Sequence, residues 1–181
     1  MNIFVLHEDP IIAARMHCDK HAVKMPLELT QEVCDALRRH GAQDAEMPLT
    51  SKGNPWKGGY PDHPCTRWVG DSHHNFLWAV EHGLALFEEY TKRYGRRHAC
   101  HDALLHMSEM DYLIPPGGLT PFARAFNGND HLMDEQKYTA VEAYRAYYFT
   151  KRFKRGGSLV PPWWEKGTPA PSWWVNNEVK Q

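Results

Sequence analysis

A chain of 181 residues carrying 21 Lys and Arg against 22 Asp and Glu has room for one hydrophobic core, and a single domain over residues 1–181 is expected. The net charge of −1 argues against a binder that draws its affinity from global phosphate neutralisation, so any nucleic-acid contact has to come from local patches. No apolar run approaches the roughly 20 residues of a membrane span and the opening residues lack the basic start of a secretory signal, so a cytoplasmic protein with no membrane partner is expected.

In chain order, residues 2–6 (Asn-Ile-Phe-Val-Leu) predict a short N-terminal strand. Asp9-Pro10 supplies a cap and a first-turn proline, predicting a helix to about Cys18. Asp19 then caps a second helix that runs to Arg39 before Gly41, with Pro26 bending it near Lys24 and Glu28. Residues 41–62, rich in Gly, Pro, Asp, Lys and Ser, predict a long surface loop. Asp71-Ser72 opens the clearest helix, in which Phe76, Val80, Leu84, Phe87 and Tyr94 repeat at helical spacing until Gly95. A further helix spans about 98–110, and Pro115 to Gly118 breaks the chain. The last helix, about 135–153, ends in Lys151, Arg152, Lys154 and Arg155 ahead of Gly156-Gly157. The tail, 157–181, is expected to be irregular, its four tryptophans folding back because four exposed indoles would form a large apolar patch. Cys18, Cys34, Cys65 and Cys100 have no paired spacing and read as reduced thiols. The fold class expected is mainly α: a compact single-domain helical bundle with a short N-terminal strand and a Trp/Pro-rich irregular tail.

Twelve histidines and seven tryptophans suit chemistry on planar, polar ligands. On the second helix, positions 17, 21, 24, 28, 31 and 35 fall in one arc, opposite Val23, Leu29, Val33, Cys34 and Leu37. The plain explanation is a solvated amphipathic face. Two imidazoles one turn apart, at a helix N-terminus that favours anions and depresses cation pKa values, point instead to a site in which a lysine is partly neutral and nucleophilic. A metal on His17 and His21 is the competing reading, since histidines at i and i+4 are a common ligand pair. It lacks a third ligand, so no metal is assigned and no cofactor is expected.

His63-Pro64-Cys65-Thr66-Arg67-Trp68 forms a second constellation. Arginine beside tryptophan can pin a phosphate and stack a base, although a helical corner with Trp68 in the core explains the same residues. Arg145 lies one turn from Tyr148, followed by the basic helix end, which reads as a solvated terminus or a phosphate-tracking edge.

With these motifs in view, the chain resembles a family of small phage proteins that begin with a short strand and D-P, here Asp9-Pro10. They continue with a C-D-K-H-x-x-K-M helix (Cys18 to Met25), H-P-C-x-x-W (His63 to Trp68), E-Y-x-x-R-Y-G (Glu89 to Gly95) and A-Y-R-x-Y-Y (Ala143 to Tyr148). Through Asp19, Lys20, Lys24, His63, Pro64 and Trp68 it is distantly similar to pyrimidine-dimer DNA glycosylases of the endonuclease V type. That resemblance implies a helical enzyme acting on a pyrimidine base in DNA, extruding a nucleotide and attacking C1′ with an amine while a carboxylate assists. The glycosylases use an α-amino group exposed by Met removal. Asn2 is a poor residue for that processing, which directs attention to a lysine, and Pro26 stands where the phage pattern has an aliphatic residue. Lys24 or Lys20 is therefore the expected amine and Asp19 the carboxylate. His21 and His17 would move protons, and Glu28, His63, Arg67, Trp68 and Arg145 would complete the substrate site. Two alternatives stand beside base excision: a base-hypermodification transferase acting on hydroxymethyl pyrimidine, and a metal-binding or non-catalytic host-interaction protein. The expected partner is DNA, in a host cytoplasm if the chain is phage-encoded, and the oligomeric state is not specified by sequence.

Overall fold

The structure is a computed structural model and describes residues 1–177. It is mainly α. Helix α1 (Pro10–Met16) begins where the Asp9 carboxylate accepts from the Ile11 and Ile12 amides at 2.9 Å each, with Pro10 in the first turn. Helix α2 (Asp19–Arg39) starts with Asp19 as its first helical residue; Cys18 is the cap position and makes no side-chain capping bond. After the loop come α3 (Pro64–Val69) and α4 (His73–Tyr94). The Ser72 hydroxyl caps α4, and Gly95 ends it with φ 66°, a left-handed position that suits glycine. Helix α5 (His101–Ser108) and two 3-10 turns, Asp111–Leu113 and Asp130–Met133, lead to α6 (Ala140–Phe149), which a reciprocal Thr139/Glu142 capping box opens.

The centre is the crossing of α2 with α4, flanked by α1, α3 and α5. Gly83 makes this crossing close: a Cβ there would come within 2.5 Å of Leu104 and 2.8 Å of Leu29, so α2, α4 and α5 meet where α4 has no side chain. Leu29, Val33, Leu37, Phe76, Leu86 and Leu104 fill the space around it and are almost wholly buried.

Three expectations are corrected. Residues 2–6 form no strand, because no partner strand lies alongside. They thread into the core instead, with Ile3, Val5 and Leu6 buried and Phe4 at φ 42°. The Asn2 side chain holds this turn, accepting from the Phe4 amide and donating to the Ala125 carbonyl, each at 2.8 Å. The last helix is shorter than 135–153: its capping box sets the start, and Phe153–Arg155 (β1) instead pairs antiparallel with Ser158–Val160 (β2). Gly156 and Gly157, at φ 56° and 85°, make the two-residue turn that right-twisted hairpin strands require. The tail is not wholly irregular, since Ser172–Val175 forms a short helix, α7.

The tryptophans do fold back. Trp173 is buried and Trp174 stacks on Phe149 with ring centres 4.5 Å apart. Residues 178–181 of the predicted tail lie outside the described residues. All four cysteines are free and buried. No helix among the described residues is long and apolar enough to cross a membrane.

Candidate functional site

The N-terminal segment decides which groups meet. Phe4, driven into the core, lies 4.5 Å from the His21 ring, 5.9 Å from Tyr147 and 5.6 Å from Tyr148, ring centre to ring centre. The arc of α2 that periodicity marks as one face is thereby covered at its start by residues 2–6 and by α6. His17, the C-cap of α1, and His21 are both buried, and they are joined by His82 of α4, 5.3 Å from His17.

These imidazoles are held neutral. Burial, with help from His82 and His21, lowers the His17 pKa well below its ordinary value. Burial pushes His21 down to about 3 and His82 to about 4. His17 Nδ1 bonds the Ala13 carbonyl at 2.9 Å and His82 Nδ1 the Pro10 carbonyl at 2.8 Å. His17 and His21, expected to move protons, are thus placed in the interior, and neither side chain reaches solvent.

Asp19 is also corrected. Its carboxylate is buried, 3.2 Å from Arg93 Nη1, and its second oxygen accepts from the Glu165 amide at 2.6 Å. Both oxygens are committed to holding the fold. Trp68 is buried, 5.8 Å from Trp78 and 5.3 Å from Phe122, so its indole is a core plate and cannot stack on a base. Arg67 is exposed and lies 3.7 Å from Asp62. Arg145 donates to the Leu6 carbonyl at 3.0 Å and sits over the Trp173 ring, tying the tail to the N-terminal segment. Lys20 is exposed on the outer side of α2.

What remains together is a smaller group one turn further along α2. Lys24 Nζ lies 2.7 Å from Glu28, whose other oxygen is 3.7 Å from the Met1 amino group. Opposite, just past the end of α6, Lys151 Nζ sits 3.4 Å above the Tyr147 ring and 5.3 Å from the Phe4 ring. Partial burial, then the nearby Lys24 charge, lowers the Lys151 pKa to about 8, while Glu28 pulls the other way. A cavity of about 520 Å³ opens beside this group, lined by Met1, Asn2, His63, Asn127 and Tyr147 among others. Burial lowers the His63 pKa, the Met1 amino group lowers it further and Glu28 opposes.

The structure thus brings Lys24, Glu28 and His63 to one side of the molecule and leaves Asp19, Trp68 and Arg145 in structural roles. Lys151 and Tyr147 were not selected by sequence reasoning. Their signals, a basic helix end and the A-Y-R-x-Y-Y run, were visible, but nothing in the chain says that this end meets α2. The hairpin that follows keeps more cations nearby: Phe153 packs on His21 at 5.1 Å, and Arg152 and Lys154 flank it, exposed. Against this geometry, no family model, no curated protein and no solved structure matches the chain.

Proposed function

We propose that this chain acts on a pyrimidine base in DNA as a glycosylase, with Lys151 as the amine that attacks the sugar. The observation that carries the reading is one half-buried lysine with its pKa brought to about 8, beside a second lysine bound to a carboxylate. An amine of ordinary basicity is almost wholly protonated at neutral pH, whereas one near 8 is neutral often enough to act as a nucleophile.

In this reading an extruded nucleotide enters the cavity edged by Tyr147 and His63. The Lys151 nitrogen forms a bond to C1′ as the C1′–N bond to the pyrimidine breaks. One amine proton passes through Glu28 to the departing pyrimidine, which leaves protonated, and the second passes the same way to O4′. Opening of the sugar ring at C1′–O4′ then gives a Schiff base between Lys151 and the sugar. Lys24 fixes Glu28 across the 2.7 Å ion pair. Arg152 and Lys154, exposed in the segment that follows Lys151, supply local phosphate contacts that the net charge of the chain does not.

Borohydride trapping tests this on duplexes carrying a pyrimidine dimer or a hydroxymethyl pyrimidine, with peptide mapping of the adduct. A covalent product at Lys151, with release of free base, is expected, lost in Lys151→Met and kept in Lys20→Ala. No adduct on any substrate, or an adduct that survives Lys151→Met, overturns the assignment. A gain of mass on an intact nucleoside would instead indicate a base-modifying transferase.

A further inference from the structure

Helix α2 carries three carboxylates on adjoining turns, Glu28, Glu32 and Asp35, and two of them are accounted for. Glu28 takes Lys24 and the Met1 amino group, and Asp35 accepts the Gly59 and Tyr60 amides at 2.8 and 3.0 Å. Glu32 is different. It is wholly buried, and neither of its carboxylate oxygens has a hydrogen-bond partner among the described residues. A buried carboxylate that has lost its water and gained no partner is strongly disfavoured as a free anion, so a group this isolated needs a proton or a cation.

The surroundings favour a cation. One donor atom each from Glu32, His63 and Cys65 lie within 4.8 Å of one another. His63 and Cys65 come from the same turn, because His63 is the N-cap of α3 and Cys65 lies in its first turn, set against α2. His63 Nδ1 accepts from the Cys65 amide at 3.2 Å, the cap bond that fixes the imidazole at the start of α3. The Cys65 sulfur is buried, with the Ile3 backbone and the Tyr144 hydroxyl, at 3.7 Å, as polar neighbours, and that hydroxyl already donates to the Ala123 carbonyl. His63 is partly exposed and lines the 520 Å³ cavity, giving an ion a path from solvent to the two buried donors behind it.

We propose that Glu32, His63 and Cys65 form a binding site for a borderline-soft divalent cation of the Zn²⁺ class. One carboxylate oxygen, one imidazole nitrogen and one thiolate suit Zn²⁺ or Co²⁺ and exclude Mg²⁺ and Ca²⁺, which take oxygen alone. The ion pins the start of α3 to the middle of α2 and neutralises Glu32. Three protein donors leave a fourth position open. His63 also edges the cavity of the glycosylase reading, but the ion needs neither Lys151 nor DNA, so its binding is tested separately.

The test uses the whole chain and two probes, Zn²⁺ and Co²⁺. When the protein is stripped with a chelator, reloaded with Zn²⁺ and dialysed, one Zn²⁺ per chain by elemental analysis is expected, and Co²⁺ in its place should give a thiolate-to-metal charge-transfer band in the near ultraviolet. The band should vanish in Cys65→Ser and Glu32→Gln and persist in Cys100→Ser, with circular dichroism confirming that each variant is folded. The wild-type protein provides a readout that needs no variant. In the infrared, a buried protonated carboxylic acid without metal should disappear on adding one equivalent of Zn²⁺. A carboxylic acid band that persists in excess Zn²⁺, or Co²⁺ binding without a thiolate band, overturns the proposal.

Discussion

The Arg93 guanidinium lies 3.2 Å from the Asp19 carboxylate, and neither side chain reaches solvent. Arg93 also donates to the His17 carbonyl at 2.7 Å and the Arg15 carbonyl at 3.3 Å, and its Nε bonds Glu89 at 3.0 Å. Glu89 in turn accepts from the Thr168 hydroxyl at 2.7 Å. One side chain at the end of α4 therefore clamps the end of α1, the start of α2 and the aromatic tail.

Removing that clamp leaves an uncompensated charge inside the protein. Arg93→Ala is expected to cost roughly 3–5 kcal/mol of unfolding free energy, the usual range for breaking one side of a buried ion pair. Asp19→Asn should also destabilise, because the arginine then keeps Glu89 as its one remaining carboxylate partner. Urea denaturation at neutral pH checks both. A fully stable Asp19→Asn protein with abolished activity would restore Asp19 to a catalytic role.

Acid should unfold this protein through its interior histidines. His21 and His82 have native pKa values of about 3 and about 4 against an ordinary value of 6.5, and His17 shifts the same way. The unfolded chain binds these protons first, so stability is present above pH 6.5 and is lost as the pH falls toward the native values. Each contributes roughly 1.4 kcal/mol per pH unit in that window. The denaturation midpoint should fall steeply between pH 6.5 and 4, and His82→Leu should make the dependence shallower by one histidine's share. An unchanged slope would mean that His82 is protonated in the native state.

Lys151 should be the fastest lysine to react near pH 8. With its pKa at about 8 it is half neutral there, and labelling with a trinitrobenzene sulfonate reagent should exceed that of Lys20 or Lys154 by about tenfold, burial offsetting part of the gain. Lys24→Ala removes a like charge, raises the Lys151 pKa and slows labelling. Glu28→Gln removes the opposing charge and accelerates it. Peptide mapping at limiting reagent reads all three. Equal labelling of Lys151 and Lys154 would show that the site does not perturb this amine.

Much of the secondary structure follows from local chemistry. Asp9-Pro10, Ser72 and Gly95 fix helix ends through hydrogen bonds and backbone angles involving residues at most four apart, which a linear sequence displays. The stripe on α2 illustrates the boundary of such reasoning. Periodicity groups His17, His21, Lys24 and Glu28 on one helix, yet His17 is the C-cap of α1 and precedes α2, and Val23, marked as inward, is 40% exposed. Periodicity gives the angle of a side chain about its helix axis. It carries nothing about which distant segment will cover that angle.

The cover comes from Phe4 on one side and Tyr148 on the other, the latter's hydroxyl accepting from the Cys18 amide across 130 residues. This packing turns two apparent surface histidines into neutral core groups, commits Asp19 to Arg93, and sets Lys151 beside Lys24. By itself, the sequence determined the start of α1 and both ends of α4, that the cysteines are not paired by spacing, and that the tail tryptophans must be sheltered. Only the tertiary structure decided which titratable groups lose water and which keep it. Desolvation and charge proximity depend on through-space distance, which no chain position encodes alone.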